Sequence, residues 1–213
     1  MTSLNNKYHM YLTYLAFLCL VTLSYGQRDT ERFRMQFAVG VNNPIDNGEN
    51  DGYYSKSLNL PTVNLGFQYM FKPNLGAILD FGFNRSKSAD GSQEFKLNYS
   101  RVNVQVAYDF TDALNFLPEP MSIQAHAGPG ISFTKPLSND SSNKYTFLNV
   151  LAGLELRYKV SRTLAVLGDF GYAKSLSGKD KYDIEIDGFS FNGDLVYATF
   201  GISVAISGCR YCN

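Results

Sequence analysis

The sequence predicts an all-β fold, an eight-stranded antiparallel up-and-down transmembrane β-barrel. Three observations predict it: apolar residues recur at every second position in about eight segments, long and short connections alternate between these segments, and their polar positions are rich in glycine. The chain has 213 residues, of which 45% are hydrophobic and 15% aromatic. This length suits one domain.

The charge balance excludes several classes of protein. The 19 Lys and Arg residues equal the 19 Asp and Glu residues in number, and no block of basic residues interrupts the sequence. Nucleic-acid binding and polybasic attachment to a membrane surface both need such a block. After the N-terminus there is no long apolar run of about 20 residues, which argues against a protein that crosses a membrane with several helices.

Residues 1–26 have the pattern of a cleaved secretory signal peptide. Lys7 and His9 precede the apolar run 10–23, and the small residues Ser24 and Gly26 stand just before Gln27. An uncleaved anchor helix is the alternative, although the run is shorter than the roughly 18 residues expected of a span. The expected mature chain is therefore exported, with the barrel at 27–208 and a short tail at 209–213.

The first four alternating segments have the period of strands with one apolar face. In the first three, the apolar residues stand at odd-numbered positions, over residues 33–41, 63–71 and 77–83. The fourth segment, 95–110, changes parity, because Phe95, Leu97 and Tyr99 are odd-numbered whereas the later apolar residues, Val102 to Phe110, are even-numbered. A β-bulge near Ser100 and Arg101 is the expected reason.

The last four segments continue the same period. The fifth, 121–133, carries its apolar residues at odd positions from Ile123 to Phe133. The other three carry theirs at even positions, over residues 148–158, 164–172 and 196–206. The sequence thus contains eight candidate strands.

The lengths of the connections support a membrane barrel. The connections after the odd-numbered strands are long and polar, at residues 42–60, 86–94, 134–144 and 175–194. Those after the second and sixth strands are tight turns at 72–74 and 161–163, and the fourth connection, 111–120, is long enough for one helical turn. Long loops at one end and short turns at the other, periplasmic end are typical of outer-membrane barrels.

The composition of the polar face indicates a lumen. Glycine is disfavoured on an exposed strand surface but fits the crowded interior of a narrow barrel, and it occupies Gly40, Gly66, Gly76, Gly82, Gly128, Gly130, Gly153, Gly171 and Gly201. Both signs of charge are present on this face, as paired lumen charges require, at Arg34, Asp80, Glu155, Arg157, Lys159 and Asp169. The opposite face carries almost no charge, and we predict that it meets lipid.

Aromatic residues cluster near both ends of the apolar faces, as in the girdles of membrane barrels. They are Phe33, Tyr69, Phe71, Tyr108, Phe110 and Tyr158 at the turn end, and Phe83, Phe133 and Tyr172 at the loop end. The same alternation also fits a soluble secreted ligand-binding barrel with its apolar face inward. We prefer the outer-membrane interpretation because the signal peptide, the loop lengths and the glycines agree with it.

These segments resemble the PorT-like family of outer-membrane β-barrel proteins. The resemblance depends on the signal ending before Gln27, the opening strand 33–41, the paired GFQYMF and GAILDFGF segments, and the HAGPGISF and GLELRY segments. It covers nearly the whole mature chain. It implies a small barrel in the outer membrane of a Gram-negative cell, in a family whose roles are often unassigned and which has one member in a secretion and gliding machinery.

Few residues suggest a chemical site. Cys209 and Cys212 form a C-x-x-C motif, for which a local disulfide is plausible in an oxidising compartment, and we interpret it as a frayed tail with or without this bridge. Neither a redox helix nor a second pair of zinc ligands is recognisable. His126 is the one histidine of the mature chain. A lipid-modifying esterase would need a serine beside it, but Ser122 lies four strand residues away, about 13 Å. We expect His126 to bond a lumen neighbour such as Asp80 or Asp169.

The long loops are the remaining candidates for function. The acidic stretches 46–52 and 180–187 do not match the spacing of an EF-hand, so we interpret them as solvated loops. Exposed aromatic residues favour interfaces, and the candidate contact residues are Tyr53, Tyr54, Tyr145, Tyr182, Phe189 and Phe191. We therefore predict a non-enzymatic barrel with a filled lumen, whose outer face contacts the lipid of the outer membrane. The candidate roles are structural support, binding or adhesion to a partner through the long loops, and an accessory role in a secretion machinery. No catalytic residue, cofactor, metal or small-molecule substrate is inferred.

Overall fold

A computed structural model describes residues 32–46, 48, 52–114, 116–137, 143–177, 182–183 and 187–206. Within these residues the chain forms eight β-strands, in the order β1 (Phe33–Pro44), β2 (Asn59–Lys72), β3 (Leu75–Lys87), β4 (Lys96–Asp109), β5 (Met121–Pro136), β6 (Tyr145–Lys159), β7 (Leu164–Ser175) and β8 (Leu195–Ala205). The strands begin and end within a few residues of the segments that the alternation predicts. The signal peptide 1–26 and the tail 209–213 lie outside the described residues and stay predictions.

The eight strands form one closed antiparallel barrel in sequence order. Each strand pairs with its neighbours in the chain, and β1 closes the sheet by pairing with β8, with Phe37 opposite Ile202 and Val39 opposite Phe200. Closure leaves no unpaired strand edge, which a span through lipid requires. The predicted eight-stranded up-and-down barrel is therefore confirmed.

The apolar faces of the strands point outward. Val104 is 60% exposed and Phe200 is 65% exposed, although both lie in the middle of their strands, whereas Gln68 and Asn103 on the other face are fully buried. The alternative of a soluble barrel with an apolar interior is therefore wrong. An apolar exterior over a polar interior is the arrangement of a membrane barrel.

The predicted bulge in β4 is absent. The register against β3 advances without a break from Leu75 opposite Tyr108 to Lys87 opposite Lys96. Leu97 and Tyr99 therefore face inward with Arg101, and both are buried. The parity change has a different cause: the inside of the barrel changes from polar to apolar near its loop end.

The connections follow the predicted lengths. Tight turns join β2 to β3 and β6 to β7, and the connection after β4 contains a 3₁₀ helix at Thr111–Ala113. At the opposite end, the long connection after β7 is anchored to the end of β1, because the Ile45 amide donates to the Asp194 carbonyl at 3.0 Å and the Asn192 amide donates to the Ile45 carbonyl at 3.0 Å. In the described part of the chain, no helix has the length and apolar character needed to cross a membrane.

Candidate functional site

A central ion pair lies in the lumen and joins the neighbouring strands β3 and β4. The guanidinium group of Arg101 is fully buried and donates to the carboxylate of Asp80 through Nη1. Its Nη2 donates to Oδ1 of Asn64 on β2 at 3.1 Å. An ion pair at this depth needs such additional hydrogen bonds to offset the loss of water around both charges.

A second ion pair lies nearer the turn end. Arg157 donates to Glu155, two residues away on the same face of β6, and also to Oε1 of Gln68 at 3.1 Å. Glu155 accepts a further bond from Gln36 at 3.0 Å, and Gln68 donates to Gln124 at 2.6 Å. These bonds connect β1, β2, β5 and β6 across the interior.

His126 is held between two acceptors in the middle of the lumen. Its Nδ1 lies 2.6 Å from Oε1 of Gln105, and its Nε2 lies 2.9 Å from Oδ1 of Asp169. The expected contact with Asp169 is therefore present. Both ring nitrogens are thus engaged by these two partners.

Tyr197 on β8 connects this histidine pair to the central ion pair. Its hydroxyl donates to the second carboxylate oxygen of Asp169 at 3.0 Å. The guanidinium carbon of Arg101 lies 4.7 Å from the centre of its ring, a distance suited to a cation–π interaction. The network therefore runs from β5 through β7 and β8 to β4.

Glycines lie opposite the largest side chains of the network. Gly153 pairs with His126 across β5 and β6, and a Cβ atom at Gly153 would lie 2.5 Å from Cε1 of the imidazole. Gly82 pairs with Arg101, and its Cβ would lie 2.6 Å from Nε of the guanidinium. Because the lumen glycines have no side chain, the large polar side chains opposite them can lie flat against the barrel wall.

Above the ion pairs, hydrogen bonds continue to the loop end. Asn103 donates to Asn149 at 2.6 Å, Asn149 donates to Ser132 at 2.8 Å, and the Ser132 and Tyr99 hydroxyls are 2.6 Å apart. Tyr99 is almost completely buried, and its ring contacts Phe147 and Phe191. At this level the interior changes from polar to aromatic.

An aromatic cap fills the loop end of the lumen. We use this name for one set of buried side chains, contributed by β4, β6 and the connection from β7 to β8: Leu97, Tyr99, Phe147, Tyr182, Phe189 and Phe191. Tyr182 is central, with its ring centre 5.1 Å from that of Phe191 and 5.6 Å from that of Phe189. Its hydroxyl lies 2.8 Å from that of Thr134, and burial raises the pKa of this phenol well above its ordinary value.

Part of the predicted contact surface is wrong, because three of its aromatic residues are buried in the cap. Phe189 and Phe191 are each 1% exposed and Tyr182 is 6% exposed, so these three residues are not surface contacts. Tyr53, Tyr54 and Tyr145 are half-buried, and Tyr145 donates to Asp187 at 2.9 Å. The physical reason is that the connection after β7 folds back over the barrel, where its aromatic residues cover apolar residues of β4 and β6.

Arg101 is the functional residue that the sequence reasoning missed. A bulge at this position assigns Arg101 to neither face of β4, so the lumen charges predicted from the sequence do not include it. Its parity with Asn103 and Gln105, both polar and both buried, is the signal that identifies it as a lumen residue. Without Arg101, the predicted acid Asp80 has no partner in the network.

Metal-binding geometry is not found in the described part of the chain, where no three His, Cys, Asp or Glu side chains lie together. Cys209 and Cys212 are outside the described residues, as is most of the acidic stretch at 180–187. The described lumen is a hydrogen-bonded structural network.

Comparison with known proteins identifies a family. The family model described as "Outer membrane protein beta-barrel domain" matches residues 14–206. No curated protein matches the chain. The match to the family model spans all eight strands.

Solved structures share the fold at low sequence identity. Neisserial surface protein A is 12% identical, with a TM-score of 0.56 over 81% of this chain and 96% of that one. A major outer membrane protein from Thermus thermophilus is 14% identical, with a TM-score of 0.56 over 81% and 98%. OprG from Pseudomonas aeruginosa is 12% identical, with a TM-score of 0.51 over 84% and 97%. At these identities the similarity concerns the fold.

Proposed function

The chain belongs to the outer membrane protein β-barrel domain family and is located in the outer membrane, and from this premise we propose that it is a non-enzymatic barrel with a closed lumen and a binding role for its loops. In this family the long loops are on the extracellular side and the short turns are periplasmic. The lumen side chains and the aromatic cap would then close the barrel, and the surface outside the cap would meet a partner.

One observation carries this proposal: the connection after β7 packs its aromatic residues into the barrel instead of leaving them on the surface. Phe189 and Phe191 are buried, and Asp194 accepts bonds from the Ser175 amide at 2.8 Å and from Lys174 at 2.7 Å. A loop that is ordered before binding loses less conformational entropy when it meets a partner. The cap therefore supports a preformed extracellular surface.

The absence of catalysis is supported by the surroundings of His126. Its two nitrogens contact Gln105 and Asp169, and a lipid-modifying reaction would need one of them to activate a nucleophile. We expect a His126→Ala variant to leave the lipid A species of the producing cell unchanged by mass spectrometry. A lipid A species that disappears with His126 and returns with the wild-type chain would overturn this part of the proposal.

The binding role is tested by photo-crosslinking in living cells. A photoreactive amino acid at Asp90, which is fully exposed in the β3–β4 loop, is expected to give a discrete protein adduct. The same amino acid at Val104, which faces lipid, is the matched control and is expected to give no protein adduct. Identical results at the two positions would contradict a loop-mediated partner.

An accessory role in a secretion machinery is the finer form of this proposal. It is supported by the resemblance to PorT-like barrels, which include a member of a secretion and gliding machinery. We expect deletion of the gene to change the set of proteins secreted by the cell, and we expect expression of the full chain to restore that set. An unchanged set of secreted proteins would restrict the function to structural support or adhesion.

A further inference from the structure

A row of basic side chains lies on the outer surface of the barrel at its loop end. Arg85 on β3 pairs with Asn98 on β4, and Asn98 pairs in turn with Lys135 on β5. One step further along the strands, Lys87 pairs with Lys96. Lys144 is exposed immediately before β6, so three strands and the residue that precedes a fourth contribute cations to one sector.

These cations lie just beyond the membrane-facing aromatic residues. Arg85 follows Phe83 by two residues on the same face of β3, and Lys135 follows Phe133 in the same way on β5. Two residues correspond to about 7 Å along a strand. The β4 position that pairs with both Phe83 and Phe133 is eight residues from Tyr108, which lies at the turn end of the same strand. Eight residues span about 27 Å along the strand, which is about 20 Å along the membrane normal at a usual tilt. The cations therefore lie at the level of the outer-leaflet headgroups.

The surface in this sector is concave. A cleft of about 340 Å³ is lined by Phe83, Asn98, Phe133, Lys135, Lys144 and Thr146, among others. Its lower wall is aromatic and its upper wall is basic. Such a cleft can hold an acyl chain against the rings and an anionic group against the ammonium groups.

The charge of this sector is poorly compensated. Lys96 pairs with exposed Glu94 at 3.6 Å, but in the described part of the chain Lys135 and Lys144 have no acidic partner. On the opposite wall, by contrast, the corresponding Lys174 is bound to Asp194 at 2.7 Å. Among the described cations at the loop end, those without an acidic partner thus lie on the β3–β6 side of the barrel.

We propose that this cleft, with Lys135 and Lys144 at its upper edge and Arg85 beside it on the lining residue Asn98, binds the phosphorylated headgroup of a lipid in the outer leaflet. Phosphate would accept charge-assisted hydrogen bonds from the two lysines and the guanidinium, and the acyl chains would lie along Phe83 and Phe133. Arg85 is oriented for this role, because its Nε donates to Asn98 at 2.9 Å and its guanidinium carbon lies 5.8 Å from the centre of the Phe83 ring. The inference depends on membership of the outer-membrane family and not on whether the lumen is closed.

Native mass spectrometry of the folded full-length protein in a neutral detergent tests the site. The probes are bisphosphorylated lipid A and the same lipid with both phosphates removed. The test variant is Lys135→Gln with Lys144→Gln, and the matched control is Lys72→Gln with Arg162→Gln, which removes two exposed cations at the turn end. Heat-modifiable migration on gels verifies that each variant is folded.

We expect the wild type and the turn-end control to retain one bisphosphorylated lipid with equal affinity, and the Lys135/Lys144 variant to bind it about 30-fold more weakly. The charge-conserving variant Lys135→Arg with Lys144→Arg is expected to bind like the wild type. Equal affinity of both glutamine variants would overturn the proposal. Equal retention of the dephosphorylated lipid would overturn it too, because the acyl chains alone would then explain binding. Displacement of the lipid by soluble dextran sulfate, with no preference for lipid phosphate, would assign the cleft to a soluble polyanion and also overturn the proposal.

Discussion

The ring of Tyr197 lies against Gly171, its cross-strand partner on β7, so closely that a Cβ atom at position 171 would overlap the ring. This contact lets the ring lie flat across the lumen with its hydroxyl on Asp169 and its face toward Arg101. Gly171 therefore makes the space for the ring that connects the histidine pair to the central ion pair.

Gly171→Ala is expected to destabilise the barrel by about 1–3 kcal/mol, because the tyrosine ring must leave its position. The matched control is Gly168→Ala on the same strand, where the nearest atom to a new Cβ is 4.0 Å away. Urea titration of the protein folded into lipid vesicles measures both changes. The account predicts that the Gly168 variant stays within about 0.5 kcal/mol of the wild type; equal losses in the two variants would contradict it.

Removal of Arg101 is expected to cost more than removal of both members of its ion pair. Arg101→Gln leaves the carboxylate of Asp80 buried without its partner, a loss of about 3–5 kcal/mol. The double variant Arg101→Gln with Asp80→Asn removes the buried charge and should recover part of this loss. A double-mutant cycle by urea unfolding measures the coupling, and strictly additive effects would show that the pair is not coupled.

The aromatic cap should open when one of its rings is truncated. Phe191→Ala removes a buried ring, which costs about 3–5 kcal/mol in a packed core. We expect subtilisin to cleave between residues 187 and 194 at least about ten-fold faster in this variant, because this part of the connection separates from the barrel more often. Phe116→Ala is the control, since Phe116 is 79% exposed. Unchanged cleavage in the Phe191 variant would mean that the cap does not hold the connection.

The cap should also weaken at alkaline pH. Because burial raises the pKa of Tyr182 in the folded state, its contribution is fully present below the ordinary value of 10.0 and is lost as the pH rises from there toward the folded value. Subtilisin cleavage within residues 187–194, followed from about pH 8 to about pH 11, should therefore accelerate at the alkaline end. The Tyr182→Phe variant, which cannot ionise there, should show a shallower pH dependence. Identical profiles for the two proteins would exclude Tyr182 as the titrating group.

The sequence predicts the barrel well because a strand places successive residues on opposite faces. The alternation at Phe33 to Val41 and at Val196 to Ile206 determines which side of β1 and β8 meets lipid, and the exposures of Phe37 and Phe200 confirm it. The contact between His126 and Asp169 was also predictable, since both are lumen residues on nearby strands and a buried histidine needs a partner.

The cap could not be predicted in the same way. A local pattern reports which face of a strand is apolar, but it does not report where a long connection folds. Phe189 and Phe191 look like surface residues in a polar loop, and only the apolar inner face of β4 at Leu97 and Tyr99 gives them a place to pack. The same apolar inner face causes the parity change in β4. Because that change suggests a bulge, the sequence pattern does not assign Arg101 to the lumen.

Single-channel recording in planar bilayers tests the closed barrel most directly, using the purified protein after heat-modifiable migration has shown it to be folded. With the ion pairs and the aromatic cap in place, the account predicts no conductance steps above those of the protein-free bilayer. Uniform steps whose size follows the salt concentration, seen with the wild-type protein, would show an open pore and contradict the account.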